Sequence, residues 1–478
     1  MKNLTILAFL LLFGSVLQAQ QKEWTLEECV NYALENNLSV KQAQLDTELS
    51  SIEKRDALGN FIPNINGQAT NAWNTGLTQN VTTGILQNQT VRNFSAGVTA
   101  SLTLFDGLRN FKALQRARIS QLAAEYSLDK MKDDIALFVA DAYLQVLFNK
   151  QDLQVIKAQN ELTQQQLERT RDLVDAGVLP EGDLLEIKAT DADEKQRIIL
   201  AQNLIKISLI SLAQTLGIKD YENFNIVERD YDIFGNEILA NSVYDVIEKA
   251  KKERSEIKIA EANKELAEKD VEISKGAYLP TLGAFFNYNT RESGQGRIIG
   301  SEIDPENPTR QIGLVQETEQ IVVAPNMIPT LGSPLPFFDQ LSYNDGMTYG
   351  FQLNIPFLNG FASRNQVRRS QVAAKRAQFN LEQAELDLEA NVYQAYTDAQ
   401  GAFQAYEAAI VAANAQEKAF EYANERYDVG LTNSFDFSQA KLRYENSQRE
   451  VLRAKYDYIF KLKVVELYFG IPVRDLKF

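Results

Sequence analysis

The sequence predicts a mixed α/β membrane protein, in which long helices form a coiled-coil body and several chains share one closed β-barrel. Three observations predict this fold class. First, the second half of the chain repeats the first at an offset of 253 residues, which matches Gly107 to Gly360 and Gly177 to Gly430. Second, each half contains two long stretches without proline and with almost no glycine. Third, four shorter segments alternate apolar and polar residues, which is a strand pattern.

Residues 1–19 have the features of a secretory signal peptide. Lys2 supplies the positive charge, residues 4–13 form a short apolar segment, and cleavage is expected after Ala19. The apolar segment is shorter than the roughly 20 residues that a transmembrane helix needs. We therefore expect an exported chain, and no later segment with the composition of a membrane-spanning helix.

The composition excludes several classes of function. The 478 residues include no histidine and one cysteine, Cys29, and the chain has a formal net charge of −15. The chain thus lacks the commonest general base and zinc ligand, and it is too acidic for a general nucleic-acid surface. We expect no enzyme activity, no catalytic residue, no cofactor, no metal site and no nucleic-acid partner. Cys29 is expected to be buried, and Asp133 and Asp134 to be solvated.

The long stretches are rich in good helix formers and predict very long helices. A helix of 69 residues would be about 100 Å long, which suits a tube or a coiled coil rather than a compact globule. In each copy, one long helix is expected to pack against two short helices placed end to end. The expected helices are 26–59, 108–176 and 183–216 in the first copy, and 243–276, 361–429 and 434–469 in the second.

The alternating segments predict membrane strands. They are Asn64–Trp73, Phe94–Leu104, Thr281–Tyr288 and Met347–Ile355. Val98 and Phe351 are expected on the lipid-facing side, since strands of about ten residues with one apolar face suit outer-membrane barrels. Any one segment alone would fit a half-buried soluble sheet equally well. Four strands cannot close a barrel, whereas three chains would supply twelve, so the strands predict an oligomer.

The repeat also divides the chain. Residues 20–218 form the first structural repeat, with a helix, two strands and a long helical hairpin. Residues 219–242 form a connector, and residues 243–478 form the second repeat. The second repeat carries a 36-residue insertion within residues 290–346, which we expect to be a long irregular loop.

Several sequence motifs resemble the TolC-type outer-membrane efflux family. The first is WTLEECVNYALENN, directly after the signal peptide, and two more lie at the strand-to-helix joints, SLTLFDG (101–107) and LNIPFLNG (353–360). The most specific is RYDVGLTNSFDFSQAK (426–441), whose counterpart in the first copy is LVDAGVLPEGDLLEIK (173–188). Their order along a duplicated chain makes the match strong.

The resemblance implies a homotrimer with a twelve-stranded barrel, four strands from each chain, continued by an antiparallel coiled-coil tunnel in the periplasm. Such a trimer is a passive channel in the outer membrane of a bacterial cell, serving tripartite efflux or type I secretion. Its partners are outer-membrane lipid, a periplasmic adaptor and an inner-membrane transporter. The competing hypothesis is a secreted coiled-coil scaffold, which accounts for the helices but not for the strands.

Two turns between long helices are the candidate docking tips. Glycine suits the end of a helix where φ is positive, and the residues beside each glycine are small or apolar. By resemblance, these turns meet a periplasmic adaptor, and exposed apolar tips often mark interfaces. The glycines alone would also satisfy a plain helix–helix turn. The tip residues are Gly177, Val178, Leu179, Gly430, Leu431 and Thr432.

Three carboxylates are the candidate pore aperture. Asp183 and Asp436 match across the repeat, one turn into the returning helices, and Glu186 lies nearby. By resemblance, such residues ring a closed aperture, bind cations and set selectivity. Gln439 and Thr432 stand where the family pattern has Asp and Arg. The alternative is that each Asp serves its own helix, as a cap or through the helix dipole.

Overall fold

A computed structural model of the chain describes residues 22–79, 86–229 and 236–471. The expected signal peptide and part of the connector lie outside the described residues. The chain divides into two compact units. The sheet unit comprises Lys54–Arg116 and Lys269–Ser370, and the helical unit comprises the other described residues.

The long helices fall where the sequence predicts them. Their bounds differ from the expected ones by one or two residues. The first repeat contains α1 (Leu26–Asn36), α2 (Leu38–Gly59), α3 (Arg109–Asp175) and α4 (Glu181–Leu216), and the second contains α5 (Val243–Glu253), α6 (Ser255–Gly276), α8 (Ala362–Asp428) and α9 (Ser434–Tyr468).

The two short helices expected at 26–59 and 243–276 are each broken into two. The breaks fall at Asn37 and Arg254, which adopt extended backbone conformations and correspond at the upstream offset of 217. The Asn37 side chain donates to the carbonyl of Thr215 at 2.9 Å and accepts from the N–H of Ser39 at 2.8 Å. These bonds replace those that the helix loses at the break, so the bend is built into both repeats.

A pair of corresponding tyrosines ties each repeat to the connector, residues 219–242. The Tyr143 hydroxyl lies 3.2 Å from the carbonyl oxygen of Trp24 and 3.1 Å from that of Val227. The Tyr396 hydroxyl lies 2.9 Å from the carbonyl oxygens of both Leu239 and Asn241. The duplication therefore extends to individual hydrogen bonds within the helical unit.

Around Tyr143 lies the main apolar cluster of the helical unit. It joins α1, α3 and α4 to two short paired strands, β1 (Glu23–Trp24) and β4 (Asn225–Ile226). Cys29 belongs to this cluster and is fully buried, as expected.

The sheet unit contains the four predicted strands, all antiparallel. They are β2 (Asn64–Gln79), β3 (Leu86–Phe105), β5 (Thr281–Ser293) and β10 (Gly346–Asn354), arranged in the order β10-β5-β3-β2. Phe351 pairs with Ala284, and Val98 pairs with Tyr288 on the same strand four residues further on. Because side chains alternate along a strand, Val98 and Phe351 share one face, as expected.

The other face of the sheet is mostly polar. Gln352 pairs with Gly283, and Thr348 pairs with Asn287, whereas the residues next to each of these in sequence belong to the apolar face. Phe285 is an exception on the polar side. An antiparallel sheet with one apolar and one polar face is the arrangement expected of a membrane barrel wall.

The insertion in the second repeat is not the irregular loop that we expected for residues 290–346. Strand β5 continues to Ser293, and a long hairpin follows, made of two successive strand pairs. A short helix, α7 (Phe337–Tyr343), then leads to β10. The sequence signal was masked because bulges interrupt the alternation in both pairs. The hairpin strands are β6 (Arg297–Ile303), β7 (Thr309–Leu314), β8 (Ile321–Pro325) and β9 (Met327–Gly332), with β6 paired to β9 and β7 to β8.

The expectation that no later segment has the composition of a transmembrane helix is wrong for α4. This helix contains an 18-residue window with a mean hydropathy of 1.4, only 17% of which is buried. Length and composition alone are weak evidence for a membrane span. The exposed apolar side chains of α4 are Leu185, Ile199, Leu200, Leu204, Ile207 and Ile210.

Candidate functional site

The two tip turns have the same backbone geometry. Gly177 and Gly430 have φ values of 73° and 75°, in the left-handed region that favours glycine. The N–H of the residue after each glycine closes the turn, with Val178 donating to Leu173 at 2.9 Å and Leu431 donating to Arg426 at 2.8 Å. This pattern satisfies the last carbonyls of α3 and α8, so both turns end their helices in the way the repeat predicts.

The apolar side chains at the tips face outward. Val178 is 66% exposed and Leu431 is 70% exposed, while Leu179 and Thr432 are half-buried. Val429, immediately before the second glycine, is also exposed. Each tip therefore presents a small apolar surface within the helical unit.

The two helical hairpins pack against each other just behind the tips. Tyr427 and Phe437 stack with ring centroids 5.0 Å apart, and Ile187 completes a buried cluster. Arg169 of α3 forms an ion pair of 2.5 Å with Asp428 at the end of α8. These contacts fix the position of one tip relative to the other.

Two of the three aperture carboxylates are brought together by a serine. The buried hydroxyl of Ser434 donates to Asp183 at 3.1 Å and lies 3.5 Å from Glu186. Asp436 lies apart from this group, and its carboxylate accepts from the Thr432 hydroxyl at 3.4 Å.

Neither aspartate is a helix cap. Asn433 caps α9 by accepting from the N–H of Asp436 at 2.8 Å, and Pro180 precedes α4 without a side-chain cap bond. Asp183 and Asp436 do lie in the first turns of α4 and α9, where the helix dipole favours a negative charge. The capping alternative is therefore wrong, and the dipole remains a structural reason for both residues.

Ser434 and Asn433 are the residues of this site that sequence reasoning missed. A signal was available, because Ser434 corresponds to Glu181 at the 253 offset. Where one repeat has a carboxylate, the other has a hydroxyl that binds a carboxylate. The two copies are therefore complementary at this position rather than equivalent.

A buried polar layer lies further along the same helices. Lys441 of α9 forms an ion pair of 2.8 Å with Glu194 of α4 and donates to the carbonyl of Gln159 of α3 at 2.5 Å. Burial lowers the pKa of Lys441, and the Glu194 carboxylate opposes that shift. Lys188, the counterpart of Lys441 in the first repeat, is exposed.

The same layer contains a second buried carboxylate. Asn160 of α3 donates to Asp191 at 3.0 Å and to Glu194 at 3.1 Å, while Lys195 donates to Asp191 at 2.6 Å. Burial alone would raise the pKa of Asp191, but the hydrogen bonds from Lys195 and Asn160 hold it below its ordinary value. Charged groups buried with partners resist separation, because removing one partner leaves the other unpaired.

Asp133 is not simply solvated, as the sequence suggested. Its carboxylate lies 3.2 Å from the guanidinium of Arg254, which also binds Glu256 at 2.9 Å. Burial raises the pKa of Asp133, against the effect of Arg254. The role is structural, since Arg254 lies at the break between α5 and α6.

An open sheet with one apolar face, combined in one chain with two long helical hairpins, defines a subunit of an outer-membrane channel. The family description that matches the chain is "Outer membrane efflux protein", over residues 29–218 and 246–463. The chain belongs to this family and is an outer-membrane efflux channel protein. The two matched segments follow the two repeats.

Individual proteins agree with this assignment. The chain is 24% identical over 379 residues to the outer membrane protein TolC of Vibrio cholerae, covering 78% of this chain and 75% of that protein. Its fold is similar to that of the outer membrane protein VceC of Vibrio cholerae, with a TM-score of 0.72 at 16% identity over 93% of this chain and 96% of that one. The CmeC outer membrane channel of Campylobacter jejuni gives a TM-score of 0.70 at 16% identity, over 93% of this chain and 85% of that one.

The predicted fold class, outer-membrane location and channel function are thereby confirmed, with the helical mass in the periplasm. A secreted scaffold is not supported, because it accounts for neither the sheet nor the family. Within residues 22–79, 86–229 and 236–471, no group of three or more His, Cys, Asp or Glu side chains is placed to hold a metal ion.

We predict that Asp191→Asn lowers the thermal unfolding temperature at neutral pH. The carboxylate has a lowered pKa in the folded chain, so its contribution to stability is complete above its ordinary pKa and is lost as pH falls. The difference from the unsubstituted protein should therefore shrink as pH falls through about 4, the ordinary range of carboxylates. Asp193→Asn, an exposed neighbour on α4, is the matched control. A difference that stays constant on acidification would contradict the prediction.

Proposed function

We propose that three copies of this chain form one passive channel, engaged by a periplasmic adaptor and an inner-membrane transporter. The observation that carries the proposal is the open four-stranded sheet. Within the described part of the chain, β2 pairs only with β3 and β10 pairs only with β5. Lipid offers no partner for the free backbone groups at these two edges, so another copy must supply it.

The duplication specifies how the edges meet. Strand β3 corresponds to β10 at the offset of 253, and β5 corresponds to β2 at 217. The pairing of β3 with β5 inside the chain should therefore recur as a pairing of β10 with β2 of the next copy. Ala96 pairs with Thr290 within the chain, and the counterparts of these residues are Tyr349 and Trp73. Both aromatic side chains are exposed in the single chain.

A glycine joint supports the same arrangement. A side chain on Gly107 would overlap the carbonyl oxygen of Gly276, so these residues pack backbone to backbone within the sheet unit. Their counterparts are Gly360 and Gly59, and a side chain on either would meet open space in the single chain. Gly360 has a φ of 59°, which by itself favours glycine, so Gly59 is the counterpart whose missing side chain fits a joint that forms between copies.

The exposed apolar side of α4 also fits a trimer. Leu200, Leu204 and Ile207 project from one face of the helix, at the spacing i, i+4 and i+7, and all three are exposed. In the periplasm such a surface is costly, because each apolar side chain gains about 1.5–3 kcal/mol on full burial. A neighbouring helical hairpin would cover it.

We predict that Tyr349→Cys combined with Trp73→Cys yields covalent trimers under oxidising conditions. Directly paired strand residues lie within the Cα separation that a disulfide spans. Three bonds close a ring, so denaturing gels should show no species larger than a trimer. Cys29 should not interfere, because burial raises the pKa of its thiol to about 12.

The matched control combines Tyr349→Cys with Ala72→Cys, which displaces the second thiol by one residue to the opposite face. Trimer formation by both pairs alike, or monomers from the first pair, would rule out the proposed register.

The aperture is proposed to include Asp183, Glu186 and Asp436. Ser434 holds Asp183 and Glu186 side by side, and three copies would supply nine carboxylates near one axis. A ring of negative charge attracts cations and repels anions. Hard divalent cations bind several carboxylates at once, so they should block the pore.

We predict that Asp183→Asn with Asp436→Asn reduces both the cation preference and the divalent block of the reconstituted channel. Single-channel recording in planar bilayers measures both quantities. The Asp183→Glu, Asp436→Glu variant keeps the charge and should keep both properties. Unchanged selectivity in the Asn variant, with the trimer intact, would remove these residues from the aperture.

The exposed tips are proposed to dock the adaptor. Val178 and Leu431 form exposed apolar surfaces on turns closed by backbone hydrogen bonds, and such patches on an exposed end favour protein contacts. The proposed docking residues are Gly177, Val178, Leu179, Gly430, Leu431 and Thr432.

We predict that a photo-crosslinking amino acid at Leu431 captures a periplasmic adaptor in intact cells, identified by mass spectrometry of the adduct. The same amino acid at Thr318, in the turn between β7 and β8, is the control and should not capture it. Equal capture at both positions, or capture of no adaptor at Leu431, would contradict docking at the tips.

A further inference from the structure

The short helix α7 lies on the apolar face of the sheet. The ring of Phe337 packs against that of Phe94 with centroids 5.1 Å apart, and the Thr290 hydroxyl donates to the carbonyl of Leu341 at 2.6 Å. Phe94 lies four positions from Val98 on β3, and Thr290 lies two positions from Tyr288, which pairs with Val98. Side chains an even number of positions apart lie on the same face of a strand, so Phe94 and Thr290 share the face of Val98. Helix α7 therefore lies on the side of the sheet that faces lipid.

A buried glutamine holds α7 in place. The Gln340 amide donates to the carbonyls of Ser293 at 3.1 Å and Leu335 at 2.9 Å, and it accepts from the N–H of Ser293 at 3.1 Å. The buried amide thus uses both of its N–H donors and one of its two acceptor lone pairs. These bonds attach α7 to the last residue of β5.

An ion pair beneath the helix strengthens the attachment. Arg92 lies 2.9 Å from the buried carboxylate of Glu292, and its guanidinium stands 5.6 Å from the centroid of the Phe337 ring. Cation–π contacts of this kind add to the packing of the ring. Helix α7 is consequently a docked element.

The outer side of α7 exposes two aromatic side chains. Phe338 is 79% exposed and Tyr343 is 78% exposed, whereas on the inner side Gln340 is buried and Phe337 and Leu341 are half-buried. An aromatic side chain left in water at full exposure forgoes a large burial energy. These two residues therefore call for a partner outside the chain.

The level of α7 along the strands identifies that partner. Strand β10 begins at Gly346, shortly after α7 ends, and its nine residues are close to the 9–11 that cross a bilayer. Its first residue pairs with Asn289, whereas α7 contacts β5 from Thr290 onward. Helix α7 thus lies just beyond the membrane-crossing rows, at the end of the sheet away from α3 and α6.

The position across the sheet disfavours a second copy as the partner. Helix α7 contacts β3 and β5, the two inner strands of the four, whereas neighbouring copies would join at β2 and β10. Lipid is what remains in front of the inner strands. Aromatic side chains are enriched at the membrane–water boundary, where an apolar body and a polar tip are both accommodated.

We propose that α7 is an interfacial anchor, which inserts Phe338 and Tyr343 into the headgroup boundary of the outer leaflet on the outside of the barrel. The proposal rests on the sheet being the barrel wall. It adds a contact that only the second repeat makes, because α7 lies between β5 and β10 and no helix lies between β2 and β3 among the described residues. Each trimer would carry three such anchors around its rim.

The test uses spin labels on the full-length protein reconstituted in phospholipid vesicles. Phe338→Cys is labelled, and its collision rates with oxygen, which concentrates in lipid, and with a water-soluble nickel chelate are measured by electron paramagnetic resonance. Phe351→Cys is the lipid-facing reference and Thr318→Cys is the aqueous reference. Cys29 is buried and should stay unlabelled.

The anchor predicts an oxygen-to-nickel collision ratio at Phe338 that lies above the ratio at Thr318 and toward that at Phe351. Labels at Tyr343→Cys should behave likewise. A ratio at Phe338 equal to that at Thr318 would overturn the anchor, and low rates with both reagents would show that protein covers α7 instead. If Phe351 itself gave the aqueous ratio, the barrel wall would be wrong, so the two failures are distinguishable.

Discussion

The whole structure depends on one constraint: a strand edge in lipid must find a hydrogen-bonding partner. The chain supplies four strands and leaves β2 and β10 with one open side each. A longer chain could have closed its own barrel. Here the barrel closes only when several copies assemble. The duplication makes this possible because the edge strands β2 and β10 correspond to β5 and β3, which already pair at the centre of the sheet. In the proposed trimer, one set of strand contacts would be used twice, within the chain and between chains.

The duplication is exact in some places and broken in others, and the difference follows function. Tyr143 and Tyr396 make equivalent bonds, and the helix breaks at Asn37 and Arg254 fall at equivalent positions. Near the tips the copies diverge. Lys441 is buried while Lys188 is exposed, and Ser434 binds the carboxylates that its counterpart would repel. Equivalent residues hold the body together, whereas divergent ones fit the two hairpins to each other.

The sequence was sufficient for the elements whose signals are periodic and long. Strand alternation placed Val98 and Phe351 on one face, and the absence of proline with the scarcity of glycine predicted the bounds of α3 and α8 to within a residue or two. Prediction from the sequence failed where contacts between distant residues, or local irregularities in the strands, determine the structure. The break at Asn37 depends on a bond to Thr215, which lies 178 residues away, and the hairpin within 297–332 is interrupted by bulges. At the site, the glycine turns were predictable from residue type. The cap at Asn433 is a local bond to Asp436 that residue type alone could have indicated. The hydroxyl bridge from Ser434 to Asp183 joins residues 251 positions apart, so the repeat marks the position of Ser434 but not its partner.

The buried thiol of Cys29 has a consequence for biogenesis. A thiol reacts as its thiolate, and burial raises the pKa of this group to about 12, so almost none is ionised under physiological conditions. The side chain is also fully covered by the apolar cluster of the helical unit. Once folded, the protein is insensitive to the oxidising chemistry of the compartment in which it resides. With one cysteine the chain forms no internal disulfide, so its folding requires neither a disulfide oxidase nor a disulfide isomerase, and burial of the thiol on folding removes it from pairing with other exported chains.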